Sequence, residues 1–196
     1  MLQQERRLKR EEQILSALES LTYSTREQLQ AIEQLGGERN ARRILLEMEQ
    51  KKLINSVRYD KKIYYLSNKG SDRIGKGGVN LKRSWIQHTL MRNDLFILLE
   101  QPSDWKKEFP VKRNGETYLI PDAMFKQHEI YHFVEIDNTQ TMKTNLEKIK
   151  KYKDLFKDIE KQFKHKPVLI WYSLSPIRKE KLRDVCKKSG INFKIY

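Results

Sequence analysis

The chain is short of the residues that most often carry cross-links or metal chemistry. Among its 196 residues there are one cysteine, Cys186, and four histidines. A lone cysteine forms no internal disulfide and suits a reducing compartment, so a cytoplasmic location is expected. One thiol and scattered imidazoles also leave no zinc set. No apolar run reaches the ~20 residues that span a bilayer. The opening MLQQERRLKREEQ lacks the apolar stretch of a secretion signal, and no membrane partner is expected. Acid is scarce as well. Against 40 Lys and Arg stand 26 Asp and Glu, a formal net charge of +14, and both halves of the chain are basic. A polyanion, nucleic acid first, is the simplest partner for such a surface.

The first eighty residues have helical spacing and then strand spacing. Ile14, Leu15, Leu18 and Leu21 recur as on one face of a helix over Leu8–Leu21. Thr25 to Gln28 is a capping-box pattern that opens a second helix, which Gly36-Gly37 ends. A third helix, Glu38–Lys52, turns Ala41, Ile44, Leu45 and Met48 to one side and exposes Arg39, Asn40, Arg42 and Arg43. Leu53–Arg58 and Ile63–Ser67 then suggest two strands joined at Asp60-Lys61, and Asn68-Lys-Gly70 is expected to punctuate the chain after them. Three helices and a ribbon resemble a winged helix-turn-helix. In that module the third helix enters the major groove and the hairpin lies along the backbone. The resemblance implies double-stranded DNA as partner. Arg39, Asn40, Arg42 and Arg43 would face bases or phosphates, and Arg58, Lys61 and Lys62 would hold phosphates. A merely solvated helix face is the plain alternative. Dimerisation through the same module, giving a homodimer, is the competing use.

Ser71–Leu81, with Gly75, Gly77 and Gly78, has linker composition. Two domains are therefore expected, 1–78 and 79–196. The second begins with a helix over Lys82–Glu100. Three strands follow: Trp105–Lys112, Thr117–Phe125 and Ile130–Ile136. The last two form a hairpin around the polar loop Lys126–Glu129. Helix Met142–Phe163, strand Pro167–Tyr172, helix Pro176–Ser189 and strand Ile191–Tyr196 complete the order. The fold class is α/β (α+β), a sandwich with a mixed sheet.

Acid stands in these strands where plain strands carry none. Pro121-Asp122 interrupts one. Glu135 and Asp137 end the next, two residues apart and so on one face. If the strands pair, three carboxylates converge, which is unstable unless a cation or protons neutralise them. The bland alternative makes Asp122 a turn residue and leaves Glu135 and Asp137 at a wet strand end.

The order of elements, with Pro121-Asp122 and Glu135-Ile136-Asp137 on adjacent strands, resembles the PD-(D/E)xK nuclease-like fold. The resemblance implies Asp122 and Glu135 as ligands of a divalent metal, Mg²⁺, with Asp137 or Glu108 completing the shell. The lysine that helps activate water in that fold belongs at position 137, where this chain has Asp. Lys148 on the following helix is the candidate for a migrated lysine, and Lys143 the second. More specifically, the chain is similar to the replication-relaxation family of plasmids and mobile elements. The residues concerned are Trp85, His88 and Asn93-Asp94-Leu95, Trp105 with Glu108, Pro121-Asp122-Ala123, and Glu135-Ile136-Asp137 followed by Lys148 and Tyr152. That resemblance implies DNA handling in replication and relaxation, with replication or mobilisation proteins as further partners. It leaves two functions open: a DNA-binding protein, or an Mg²⁺-dependent endonuclease with Asp122, Glu135 and Lys148 as its catalytic residues.

Overall fold

The computed structural model describes residues 2–77 and 80–196. Contacts divide the chain into two compact units, Met1–Ile97 and Leu98–Tyr196. The boundary expected between Gly78 and Val79 lies outside the described residues.

The first unit contains α1 (Leu2–Leu21), β1 (Ser24–Thr25), α2 (Arg26–Glu33), α3 (Glu38–Gln50), β2 (Ile54–Arg58), β3 (Lys62–Leu66), α4 (Asn68–Arg73) and α5 (Ile86–Leu98), the last preceded by one 3₁₀ turn, Arg83–Trp85. Ile14, Leu15 and Leu18 of α1 pack with Leu29 of α2, Leu45 and Met48 of α3, and Ile54 and Leu66 of the ribbon. The three strands form an antiparallel sheet in the order β1-β3-β2. The capping box is present: Gln28 N donates to Thr25 Oγ1 (3.2 Å) and Thr25 N to Gln28 Oε1 (3.1 Å).

Two features differ from expectation. Asn68-Lys-Gly70, expected to punctuate, opens the short helix α4. Ser67 Oγ accepts from Gly70 N (3.0 Å) and donates to Lys52 O (2.7 Å), which caps that helix against the loop after α3. Glycine stands at 70 because a Cβ there would meet Leu53 O at 2.0 Å. The other difference is the allegiance of α5. Asn93 Nδ2 donates to Tyr23 O (2.6 Å), and Gln28 Nε2 donates to Leu90 O (2.9 Å) and Asp94 Oδ1 (2.6 Å). These buried bonds fasten α5 to the α1–α2 connection, so it belongs with the first unit.

The second unit is built around a five-stranded sheet in the order β10-β9-β8-β7-β4. Its elements are β4 (Lys106–Lys107), β5 (Val111–Arg113), β6 (Glu116–Leu119), β7 (Ala123–Gln127), β8 (Ile130–Ile136), α6 (Met142–Phe163), β9 (Val168–Tyr172), α7 (Pro176–Ser189) and β10 (Phe193–Ile195). Strands β4, β7 and β8 pair antiparallel, whereas β8, β9 and β10 pair in parallel. Helices α6 and α7 make the two crossovers that parallel neighbours require. The unit is therefore α/β with a mixed sheet, as expected. Its core joins Phe133, Leu169 and Trp171 to Ile149, Tyr152 and Phe156 of α6 and Leu182 and Cys186 of α7.

Two expected strands are each cut in two. Trp105–Lys112 breaks at Glu108, whose φ of 47° is left-handed, and at Pro110, which has no N–H to give a ladder. Thr117–Phe125 breaks at Pro121. The far pieces, β5 and β6, make a separate hairpin. Among the described residues no helix is long and apolar enough to cross a membrane.

Candidate functional site

Of the three acids of the second unit, Asp122 and Glu135 come within electrostatic reach of each other. Ala123 pairs with Val134 in the last rung of the β7–β8 ladder, and Asp122 stands one residue beyond it, where its charge acts on Glu135. Asp122 N donates to Val134 O (3.0 Å), and its own Oδ2 accepts from Ile136 N (2.6 Å). The Asp122 carboxylate is thereby held at the end of β8, against the backbone between Glu135 and Asp137.

Glu135 is 1 % exposed. Lys148 Nζ pairs with its Oε2, and Tyr152 OH donates to its Oε1 (2.6 Å). Lys148 and Tyr152 stand four apart, one turn of α6, so both reach the same carboxylate. Burial, and the neighbouring charge of Asp122, push Glu135 up to about 7, against the pull of Lys148 and Tyr152. Partial burial works against charge on Lys148, but the carboxylates of Glu135 and Asp122 outweigh it and hold the amine above its usual range.

Asp137 is also 1 % exposed and has different company. Arg178 grips it with a fork: Nε donates to Oδ2 (2.6 Å) and Nη2 to Oδ1 (2.5 Å). Asn145 Nδ2 adds a bond to Oδ1 (2.7 Å). Burial alone would raise this acid, but Arg178 and Asn145 bring it below the usual carboxylate range. Arg178 is positioned by the first turn of α7, where Ser175 caps the helix and Pro176 starts it.

The arrangement bears on the Mg²⁺ expected at Asp122, Glu135 and Asp137. Magnesium needs an octahedron of free oxygen donors. Both oxygens of Glu135 and both of Asp137 already accept bonds from the chain's own donors, and one of Asp122 accepts from the backbone. Among the described residues no three or more His, Cys, Asp or Glu side chains are grouped to hold a metal ion. As these side chains stand, the trio does not fit the metal. Asp137 in particular is an ion-pair partner of Arg178. Of the two other expected participants, Glu108 donates its backbone N–H to Asp122 O (3.3 Å), and Lys143 is exposed at the start of α6.

The second candidate surface is α3 with the ribbon tip. Arg39, Asn40, Arg42 and Arg43 are all exposed. Arg42 pairs with Glu38 (2.5 Å) and Arg43 with Glu47 (2.6 Å), each one helical turn away. Such exposed pairs are worth only about 0.3–0.5 kcal/mol, so a phosphate displaces them readily. Asn40 is less free. Its Nδ2 donates to Leu35 O (2.8 Å) and its Oδ1 accepts from Arg43 (2.9 Å), so it pins the turn before α3. Arg58 and Lys61 are exposed at the tip. Lys62 is drawn back to Glu49 (2.7 Å) and lies over the Tyr64 ring.

Sequence reasoning missed Arg178 and Asn145 as partners of Asp137. Asn145 could have been found from helical spacing, since it precedes Lys148 by one turn of α6. Arg178 could not, being 41 residues from the acid it grips.

Comparison with known proteins gives one result. A family model described as replication-relaxation matches residues 15–169, from within α1 to within β9. Neither the curated proteins nor the solved structures compared with the chain give a match.

Proposed function

The chain belongs to the replication-relaxation family, and from that premise we propose that it binds double-stranded DNA in the replication or relaxation of a plasmid or other mobile element. In this reading the first unit is a winged helix-turn-helix that reads the duplex. Helix α3 enters the major groove, with Arg39, Arg42 and Arg43 on bases and phosphates. Arg58 and Lys61 hold the backbone at the ribbon tip. Asn40 and Lys62 contribute less, since each has an internal partner to give up. The observation that carries the reading is the exposed, arginine-rich outer face of α3, on the element order of that module. The second unit then holds more DNA or a replication protein.

The test is fluorescence anisotropy of labelled duplexes with wild type and with Arg42→Ala/Arg43→Ala. Binding should weaken by about 1–3 kcal/mol for each of the two guanidinium groups that reads a base. Undiminished affinity in the double variant would move the DNA site off α3.

A second reading, a metal-dependent nuclease, draws on one observation and requires Glu135 to release Lys148 and Tyr152 before it can hold a metal. Asp122, Glu135 and Lys148 come together, with the lysine on α6 instead of at position 137. If it holds, supercoiled plasmid with Mg²⁺ is nicked and Asp122→Ala ends the nicking. Plasmid left intact at high protein concentration rules against it.

A further inference from the structure

The first stretch of α1 has no core to pack on. Leu2 to Arg10 are all exposed, and Glu11 is the first buried side chain of the helix. Leu, Gln, Glu, Lys and Arg are strong helix formers, so propensity sustains these turns. The stretch also lies outside residues 15–169, so family membership says nothing about it.

Gln3, Arg6, Arg7 and Arg10 have the spacing of one helix face. They form one wall of a groove of about 370 Å³, and α3 supplies the other wall through Arg43 and Glu47. Arg7 Nη2 donates to Glu47 (2.9 Å), the same carboxylate that Arg43 holds at 2.6 Å. One glutamate therefore clips the two walls together. The other acid at the groove, Glu11, is neutralised by Lys51 and by Arg73 (2.8 Å). Among the described residues Arg6 and Arg10 have no ion-pair partner, and neither has Arg39, one turn before Arg43 on α3.

We propose that this groove is a phosphate grip, in which the N-terminal turns of α1 hold the DNA backbone beside the segment that α3 reads. The inference rests on α3 being the DNA-facing helix. Guanidinium forks match phosphate oxygens, and the groove has more arginine than acid to offer. Arg6 and Arg10 are about 6 Å apart along the helix axis, comparable with two axial rises of about 3.4 Å along the duplex. Contacts of this kind fix register and affinity without reading sequence.

The experiment is a salt series of duplex binding by anisotropy, with wild type, Arg6→Gln/Arg10→Gln, Arg6→Lys/Arg10→Lys and Arg42→Ala/Arg43→Ala. Glutamine keeps the helix propensity of the arm, and neither residue touches the core. The proposal expects the glutamine variant to bind every duplex more weakly by the same factor. The slope of log K against log salt should fall by about 2, from roughly 0.9 per phosphate contact. The lysine variant should recover most of the slope. A glutamine variant with the wild-type slope and affinity overturns the grip, and if the α3 variant is weakened at the same time the DNA reading of α3 stands without it. A wild type that binds no duplex overturns both.

Discussion

Each unit buries a glutamate, and the two are settled in opposite ways. Glu11, 4 % exposed in the first unit, faces three cations, Lys51, Arg73 and, at 3.5 Å, Arg7. Burial would raise it, but Lys51 and Arg73 outweigh burial and the acid lies below its ordinary 4.5. Glu135 in the second unit faces one cation, Lys148, the hydroxyl of Tyr152 and a second acid, Asp122. It is pushed up to about 7. Both side chains are almost wholly covered, but Glu135 lies deeper, so burial raises it more, and the charges around the two acids add to the difference. Three bases surround the buried acid of the first unit, and one base is shared by two acids in the second. Where bases are in excess the carboxylate stays charged. Where they are short, a proton is the nearest positive charge. Asp137, close to Glu135 in sequence, follows the pattern of Glu11 because Arg178 is its own.

The comparison breaks most visibly at Asp137. Arg178→Met leaves that carboxylate buried with only the neutral partners Asn145 and Ser173. Removing one partner of a buried pair is costly, and with the arginine side chain 27 % exposed the lower end of the range applies, about 3 kcal/mol by urea unfolding. An unchanged midpoint would mean that Asp137 is reached by water or takes a proton.

Lys148→Met should be milder, about 1–2 kcal/mol at pH 7, because Glu135 can answer by keeping its proton. The loss should grow with pH. An acid raised in the folded state binds its proton there when the unfolded chain has released it. The stability it contributes is present below about 4.5 and is lost as pH rises through about 7. Without Lys148 the folded value climbs further, so the decline extends to higher pH. Glu135→Gln, which cannot ionise, should flatten the curve between those limits. Glu11 and Asp137 work in the opposite direction. Their contribution is present above their ordinary values of 4.5 and 3.8 and is lost as pH falls. An equal loss in Lys148→Met at pH 5.5 and pH 8 would refute the contrast.

Much of the second unit was legible in local chemistry. Helices α6 and α7 fall at the expected residues because Thr141, Ser175 with Pro176, and Gly190 are strong boundary signals. Strand β8 matches too, since its alternation and the loop before it agree. What was not legible depended on distant partners or on unusual backbone. Glu108 takes a left-handed φ that its residue type does not announce. Gly70 looked like a breaker, yet it sits in a helix because Leu53 O passes too close for any side chain. The broad apolar face of α5 did not say which unit it packs on; buried Asn93 and Gln28 decide that. The approach of Asp122 to Glu135 followed from pairing two recognisable strands, and Lys148 from the resemblance to the nuclease-like fold, as its migrated lysine. The Arg178–Asp137 pair joins separate crossovers and leaves no pattern in either.

The central claim is that the second unit neutralises its buried acids with its own bases and protons and not with a metal ion. Isothermal titration of Mg²⁺, and then Mn²⁺, into wild type and Glu135→Gln tests it most directly. The account predicts no saturable heat from either protein at near-neutral pH, where Lys148 and Arg178 keep their carboxylates. Saturable uptake of one ion per chain by wild type, abolished in Glu135→Gln, would contradict it.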